Sequence, residues 1–278
     1  MRFADQYIAQ LERFAARSPL PRIRDLHLPP RVVAPADYKG EFCALELEDG
    51  SLGLSFVLID NALETMHANK DGLRLRGADP LAVARGYAQG DGISRTLGFA
   101  AANALTRCFF ERAGYLPDAS ADSIGGLNPQ AGERIGMIGL FASLAARIAQ
   151  AGSELVVVEL KPELAGDRDG YRVTLDAGEL AGCSKVVSTS ILLLNDTLDA
   201  MLAHCRQARW FAMVGPSAGC LPDALFARGV TLVGGSWVRD RAGFLEALRR
   251  GESHSRYTRK FAIAAGNYPG FEQLLACT

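Results

Sequence analysis

The sequence predicts an α/β protein in which an open, mostly parallel sheet follows a smaller α+β domain. After residue 134, five short apolar runs (RIGMIGL, ELVVVEL, KVVSTS, RWFAMVG and VTLVGG) alternate with segments whose apolar residues recur at three-and-four spacing. Buried parallel strands joined by crossover helices have this pattern, which makes a doubly wound, Rossmann-like sheet. Before residue 114 the order is a hairpin followed by helices, an α+β arrangement. Between Gly114 and Glu133 the composition shifts to Gly, Pro, Ser, Asp and Asn with little periodicity, as in a connection between domains. The expected domains are residues 1–117 and 134–278.

Phe3, Tyr7, Ile8, Leu11 and Phe14 predict an amphipathic helix that ends near Arg17, stopped by Pro19 and Pro21. FCALELEDGSLGLSFVL reads as two strands about an Asp49-Gly50 turn, since both turn residues tolerate positive φ. Leu45, Leu47, Leu52, Leu54, Phe56 and Leu58 are expected to bury one face of that hairpin. Asp79-Pro80 starts a short helix through Tyr87, with Asp as cap and Pro where its missing donor costs nothing. A longer helix from Ile93 to Arg112 places Ile93, Leu97, Ala100, Ala101, Ala104, Leu105 and Cys108 on one stripe, closed by Gly114. Beyond the domain connection, FASLAARIAQAG, NDTLDAMLAHCRQ, LPDALFARG and DRAGFLEALRRG are the crossover helices, and a last helix is expected over Tyr257 to Ala265.

The chain has 278 residues, 49% hydrophobic and 22% charged, enough to bury a large core. Thirty basic against thirty-one acidic residues give a net charge of -1, so there is no basic field to draw it to nucleic acid. Asp5 and Glu12 interrupt what would have to be the apolar core of a signal peptide, and no uncharged run is long enough to span a bilayer. Cys43, Cys108, Cys183, Cys205, Cys220 and Cys277 are scattered without a C-x-x-C pair, the pattern of reduced thiols in a cytoplasmic protein.

Ligands of open parallel sheets bind beyond the carboxyl ends of the strands, where helix N-termini and loop amides converge. The loop from Gly136 through Gly139, Phe141 and Ser143, with Glu159 ending the next strand, is similar to a dinucleotide fingerprint, but its spacing is G-x-x-G-x-x-A. Glycine-permitted close packing of helix on strand accounts for it better, since bulky Leu140 and Phe141 stand where a pyrophosphate would need to approach the backbone. Ser188, Thr189, Ser190, Asn195, Asp196 and Thr197 gather hydroxyl, amide and carboxylate groups around an apolar run, either facing a ligand or capping the next helix. Gly215-Pro216-Ser217 and Gly234-Gly235-Ser236-Trp237 let a ligand or the other domain approach the backbone. No H-E-x-x-H, G-x-S-x-G or Walker pattern occurs, so no catalytic residue is assigned.

The run from GMIGLF through VVVEL, STSILLLNDTLDAML and MVGPSAGCLPDALFARGVTLVGGSWVRD resembles the DUF364 family of heavy-metal chelation proteins, over residues 135 to 250. GFAAANAL is similar to the family's segment in an enolase N-terminal-like domain, so the resemblance implies that fold for the first domain. It further implies an interdomain site formed by Gly139, Phe141, Glu159, Thr189, Asn195, Thr197, Gly215, Pro216 and Ser217, with Asn103 from the other side. Ser190 joins them at the head of Ile-Leu-Leu-Leu, which makes room for a partly apolar ligand.

Two functions from different classes follow. In one, a metal ion or metal chelate sits in the cleft, with Glu159 and Asp196 as hard oxygen ligands beside Asn195 and hydroxyls. In the other, an enzyme holds a nucleotide or S-adenosylmethionine-like cofactor, with Glu159 on the ribose. An interaction scaffold with an empty sheet edge is the third reading. Expected partners are therefore a small molecule or metal, with a homodimer left open and neither nucleic acid nor membrane.

Overall fold

The computed structural model describes residues 1–31, 42–59, 61–121, 124 and 126–278. Helix α1 (Phe3–Ala15) buries Phe3, Tyr7, Ile8, Leu11 and Phe14, the stripe the sequence predicts. Strands β1 (Ile23–His27), β2 (Phe42–Leu47) and β3 (Leu52–Phe56) form an antiparallel sheet in the order β1-β2-β3. The predicted turn at Asp49-Gly50 joins β2 to β3, with Gly50 at φ 92°. Helices α2 (Ala62–Ala68), α3 (Pro80–Ala84), α4 (Gly86–Gln89) and α5 (Gly92–Arg112) follow. Asp79 caps α3 by accepting the Leu81 and Ala82 N–H groups. Gly114, at φ 66°, ends α5, with the Tyr115 N–H returning to the Phe110 carbonyl.

The second sheet has eight strands in the order β11-β10-β9-β8-β4-β5-β7-β6. They are β4 (Arg134–Ile138), β5 (Glu154–Val158), β6 (Gly166–Arg168), β7 (Tyr171–Thr174), β8 (Lys185–Thr189), β9 (Trp210–Val214), β10 (Leu232–Val238) and β11 (Thr258–Ala264). Helices α6 (Ala142–Gln150), α7 (Leu198–His204), α8 (Asp223–Phe226), α9 (Arg241–Arg250) and α10 (Phe271–Leu275) complete the chain. The five expected strands are present and mutually parallel. One sheet face packs on α6 through Ile135, Met137, Leu155 and Val157. The other joins the first half of the chain in a shared apolar core that includes Leu105, Met213 and Phe261.

Four expectations need correction. Residues 258–264 are strand β11, not helix: Phe261 and Ile263 alternate into the core, and the antiparallel pairing with β10 satisfies the backbone. The hairpin buries two faces, because Glu46 pairs with Leu52 and Leu45 with Gly53. That register sets Leu45 and Leu47 on one face and Leu52 and Leu54 on the other, and Ala44 and Leu54 pack against Phe244 and Leu248 of α9. Helix α5 is buried on all sides from Thr96 to Thr106 rather than along a stripe, since the small sheet covers one side of it and α1, α3 and α4 cover another. The connection before Glu133 is partly docked, with the Ser120 N–H donating to the Lys260 carbonyl. In addition, β6 and β7 form a short antiparallel pair at one edge of the large sheet, which the sequence did not announce.

Candidate functional site at the strand ends

Parallel register brings the carboxyl ends of β7, β5, β4, β8 and β9 to one edge, as Val158 opposes Thr174, Ile138 opposes both Val158 and Ser188, and Thr189 opposes Val214. The chain leaves β4 for β5 on one side and returns to β8 on the other, so the crevice of a topological switch opens between β4 and β8. Gly139 stands there at φ 80°, and a Cβ on it would lie 3.0 Å from Thr189 Cγ2. Glu159 fastens the turn. Its Oε1 accepts the Leu140 N–H at 2.6 Å and its Oε2 accepts the Leu160 N–H at 3.1 Å. Phe141 precedes α6, half-buried, with its N–H directed at Met137 Sδ, 3.4 Å away.

A second group meets beside β9. Ser190 and Ser217, both fully buried, share a hydroxyl hydrogen bond of 2.9 Å. Gly215, at φ 152°, permits this approach, since a Cβ there would stand 2.3 Å from Ser190 Oγ. From α5, Asn103 Nδ2 donates to the Ser217 carbonyl at 3.0 Å and to the Leu54 carbonyl at 2.8 Å. Its Oδ1 accepts the Tyr7 hydroxyl at 3.0 Å. Burial pushes the Tyr7 phenol well above its ordinary range, which keeps it a neutral donor. Asn103 is therefore a fully bonded staple between β3, α1 and the loop after β9.

The 190–197 segment is held by the first half of the chain. Tyr87 donates its hydroxyl to the Leu193 carbonyl at 2.7 Å, and Arg95 reaches the Leu194 carbonyl at 3.4 Å. The Asn195 amide nitrogen, turned toward Thr197 Oγ1 at 2.6 Å, also reaches the Leu192 and Ile191 carbonyls at 3.3 and 3.2 Å. Asn195 thus ties its own loop, and α7 begins after Thr197 without a side-chain cap.

Glu159 and Asp196 do not converge on shared partners. Glu159 serves backbone amides, while exposed Asp196 lies 3.9 Å from Arg2 and 3.8 Å from Arg95. Among the described residues no group of three or more His, Cys, Asp or Glu side chains is placed to hold a metal ion. Burial pushes the thiols of Cys43, Cys108, Cys205 and Cys220 up to about 12. They remain protonated at neutral pH, so a metal would have to displace a tightly held proton from each before it could bind.

A cleft lies between β3, α5 and the projecting end of β10, lined by Asn103, Pro216, Ser236 and Trp237, which the sequence singled out, and by Arg107, which it did not. Asn103, Pro216, Gly219 and Ser236 line a cavity of about 30 Å³, room for about two waters. At its side the Arg107 guanidinium lies over the Trp237 ring, 3.5 Å from the centroid. The available signal was the four-residue spacing of Asn103 and Arg107, which puts both on one face of α5.

Comparison with known proteins places this geometry in context. Residues 123–265 match the model of the DUF364 family, described as "Putative heavy-metal chelation", and residues 40–106 match that of the DUF4213 family, with the same description. An uncharacterized protein of Methanocaldococcus jannaschii is 30% identical over 154 residues, 54% of this chain and 57% of that protein, so the chain spans little more than half of that relative's length. A DUF364 protein of unknown function from Desulfitobacterium hafniense is 18% identical, with a TM-score of 0.68 over 95% of this chain and 100% of its own. A second, from Pyrococcus horikoshii, is 21% identical, with a TM-score of 0.64 over 94% and 99%. At these identities the two structures establish a shared fold.

Proposed function

The chain belongs to the DUF364 family, and from that premise we propose that it binds a metal already held by a small chelating molecule, at the seam between the strand ends and the first half of the chain. The observation that carries this reading is the pairing of a built meeting point with a missing ligand set. The loop after β4 lies against Thr189, the loops after β8 and β9 meet at Ser190 and Ser217, and Asn103 bonds the loop after β9, yet among the described residues no cluster offers a bare ion enough ligands. A chelate brings its own donors and asks the protein for shape and hydrogen bonds instead. The two matched segments, 40–106 and 123–265, support treating residues 1–117 and 134–278 as two domains with the ligand between them.

Equilibrium dialysis tests the proposal, with nickel, cobalt and zinc offered as free ions and as citrate complexes. Stoichiometric retention of a complex, without retention of the free ion, is expected; the opposite pattern overturns it. A nucleotide or S-adenosylmethionine-like cofactor is the other reading, favoured by Glu159 at the end of the strand beside β4. A ligand of that kind at 100 times its dissociation constant would raise stability by about 2.7 kcal/mol in a thermal-shift assay.

A further inference from the structure

We propose that the cleft between α5 and the end of β10 recognises a carboxylate group, gripped by the Arg107 guanidinium that lies over the Trp237 ring and by Arg259, the cross-strand neighbour of Trp237. Strand β10 pairs with β9 only as far as Gly234 and then runs on to Val238 beside β11. On that projecting ribbon Trp237 is the direct cross-strand partner of Arg259, so the two side chains share one face. Arg107 comes from the opposite half of the chain and sets its guanidinium carbon 3.5 Å from the centroid of the same indole.

Both arginines keep donor capacity in reserve. Arg107 spends its Nε on Glu111 at 2.7 Å and one terminal nitrogen on the Val238 carbonyl at 3.3 Å. Arg259 donates to the Pro117 carbonyl at 2.8 Å, and among the described residues no carboxylate forms an ion pair with it. Burial lowers the Arg107 pKa, the Glu111 carboxylate opposes this through its charge and its hydrogen bond, and the positive charge of Arg259 lowers it further. Glu111 pairs with Arg107 alone, so the two guanidinium groups keep a net positive charge, which an anion between them offsets. A guanidinium presents paired donors that match two carboxylate oxygens. The cavity of about 30 Å³ beside it admits a group of about two water volumes.

This inference rests on the proposed function in one respect: the same chelator would present the carboxylate. Its test therefore uses no metal. The chain has two tryptophans, Trp210 and Trp237, so a Trp210→Phe background makes Trp237 the sole reporter. Metal-free citrate and malonate are titrated against its fluorescence, with chloride at matched ionic strength and inorganic phosphate as controls. A saturable change with a dissociation constant of about 1 mM or tighter is expected. Arg107→Gln and Arg259→Gln should each weaken it by about tenfold. Arg259 sits on an edge strand, so its variant guards against loss of folding in the other. No saturable change, an equal response to phosphate or chloride, or wild-type affinity in both variants overturns the carboxylate contact. Success here with failure of the dialysis overturns the metal reading alone.

Discussion

At the scale of single residues, the cysteines decide more than their number suggests. Five of the six are buried and only Cys277 is exposed, so a disulfide-exchange reagent should label one thiol per folded chain rapidly and the rest only on unfolding. Rapid labelling of several thiols would show that the packing described around them is wrong. The same burial has a pH signature. The thiols of Cys43, Cys108, Cys205 and Cys220 are pushed from the ordinary 9.0 up to about 12. The unfolded chain releases these protons at lower pH than the folded one does. Their contribution to stability is therefore complete below pH 9 and is lost as pH rises toward 12, at about 1.4 kcal/mol per pH unit for each thiol. Urea unfolding across that range should show the decline, and a flat profile would contradict it.

Among the elements, the contact of β3 with α5 is the tightest. A Cβ on Gly53 would stand 2.0 Å from the Ala100 carbonyl oxygen and 2.1 Å from the Ala104 nitrogen. Both are backbone atoms that no rotamer change can move. Gly53→Ala should therefore cost about 3 kcal/mol or more, read as a fall in the urea midpoint, and a variant as stable as the parent would mean the helix does not lie on the strand. This contact also shows what the sequence could and could not reveal. The hairpin and α5 were legible from turn chemistry and helical spacing, which are local. Which hairpin face met which partner depended on the 46-to-52 register, and counting leucines across the turn cannot supply it. Strand β11 was misjudged for a related reason: its seven residues alternate, but a short apolar run gains its backbone partners from a neighbouring strand that the sequence does not name.

At the scale of the whole molecule, the two halves are fastened as well as packed. Glu46 on β2, only 3% exposed, receives His27 Nε2 at 2.8 Å and pairs with Arg241 of α9. Asn103 ties α5 to the loop after β9, and one apolar core runs through residues of both halves. Scanning calorimetry should therefore record one cooperative transition, with calorimetric and van't Hoff enthalpies in agreement. Two separate transitions would mean that the halves fold independently. Parallel strands, capped helices and family resemblance were readable from the chain alone, because periodicity, turn residues and strand-end motifs are written within short windows of residues. The sequence also singled out Gly139, Glu159, Ser190 and Ser217 as residues of the strand ends. Tertiary structure alone decided what they do there: Glu159 binds backbone amides and Ser190 meets Ser217. Arg107, Trp237 and Arg259 come together only because a helix from one half lies across a strand ribbon from the other. The physical reason is that a polar side chain takes whichever partner folding brings within hydrogen-bond reach, and that partner can stand a hundred residues away in the chain.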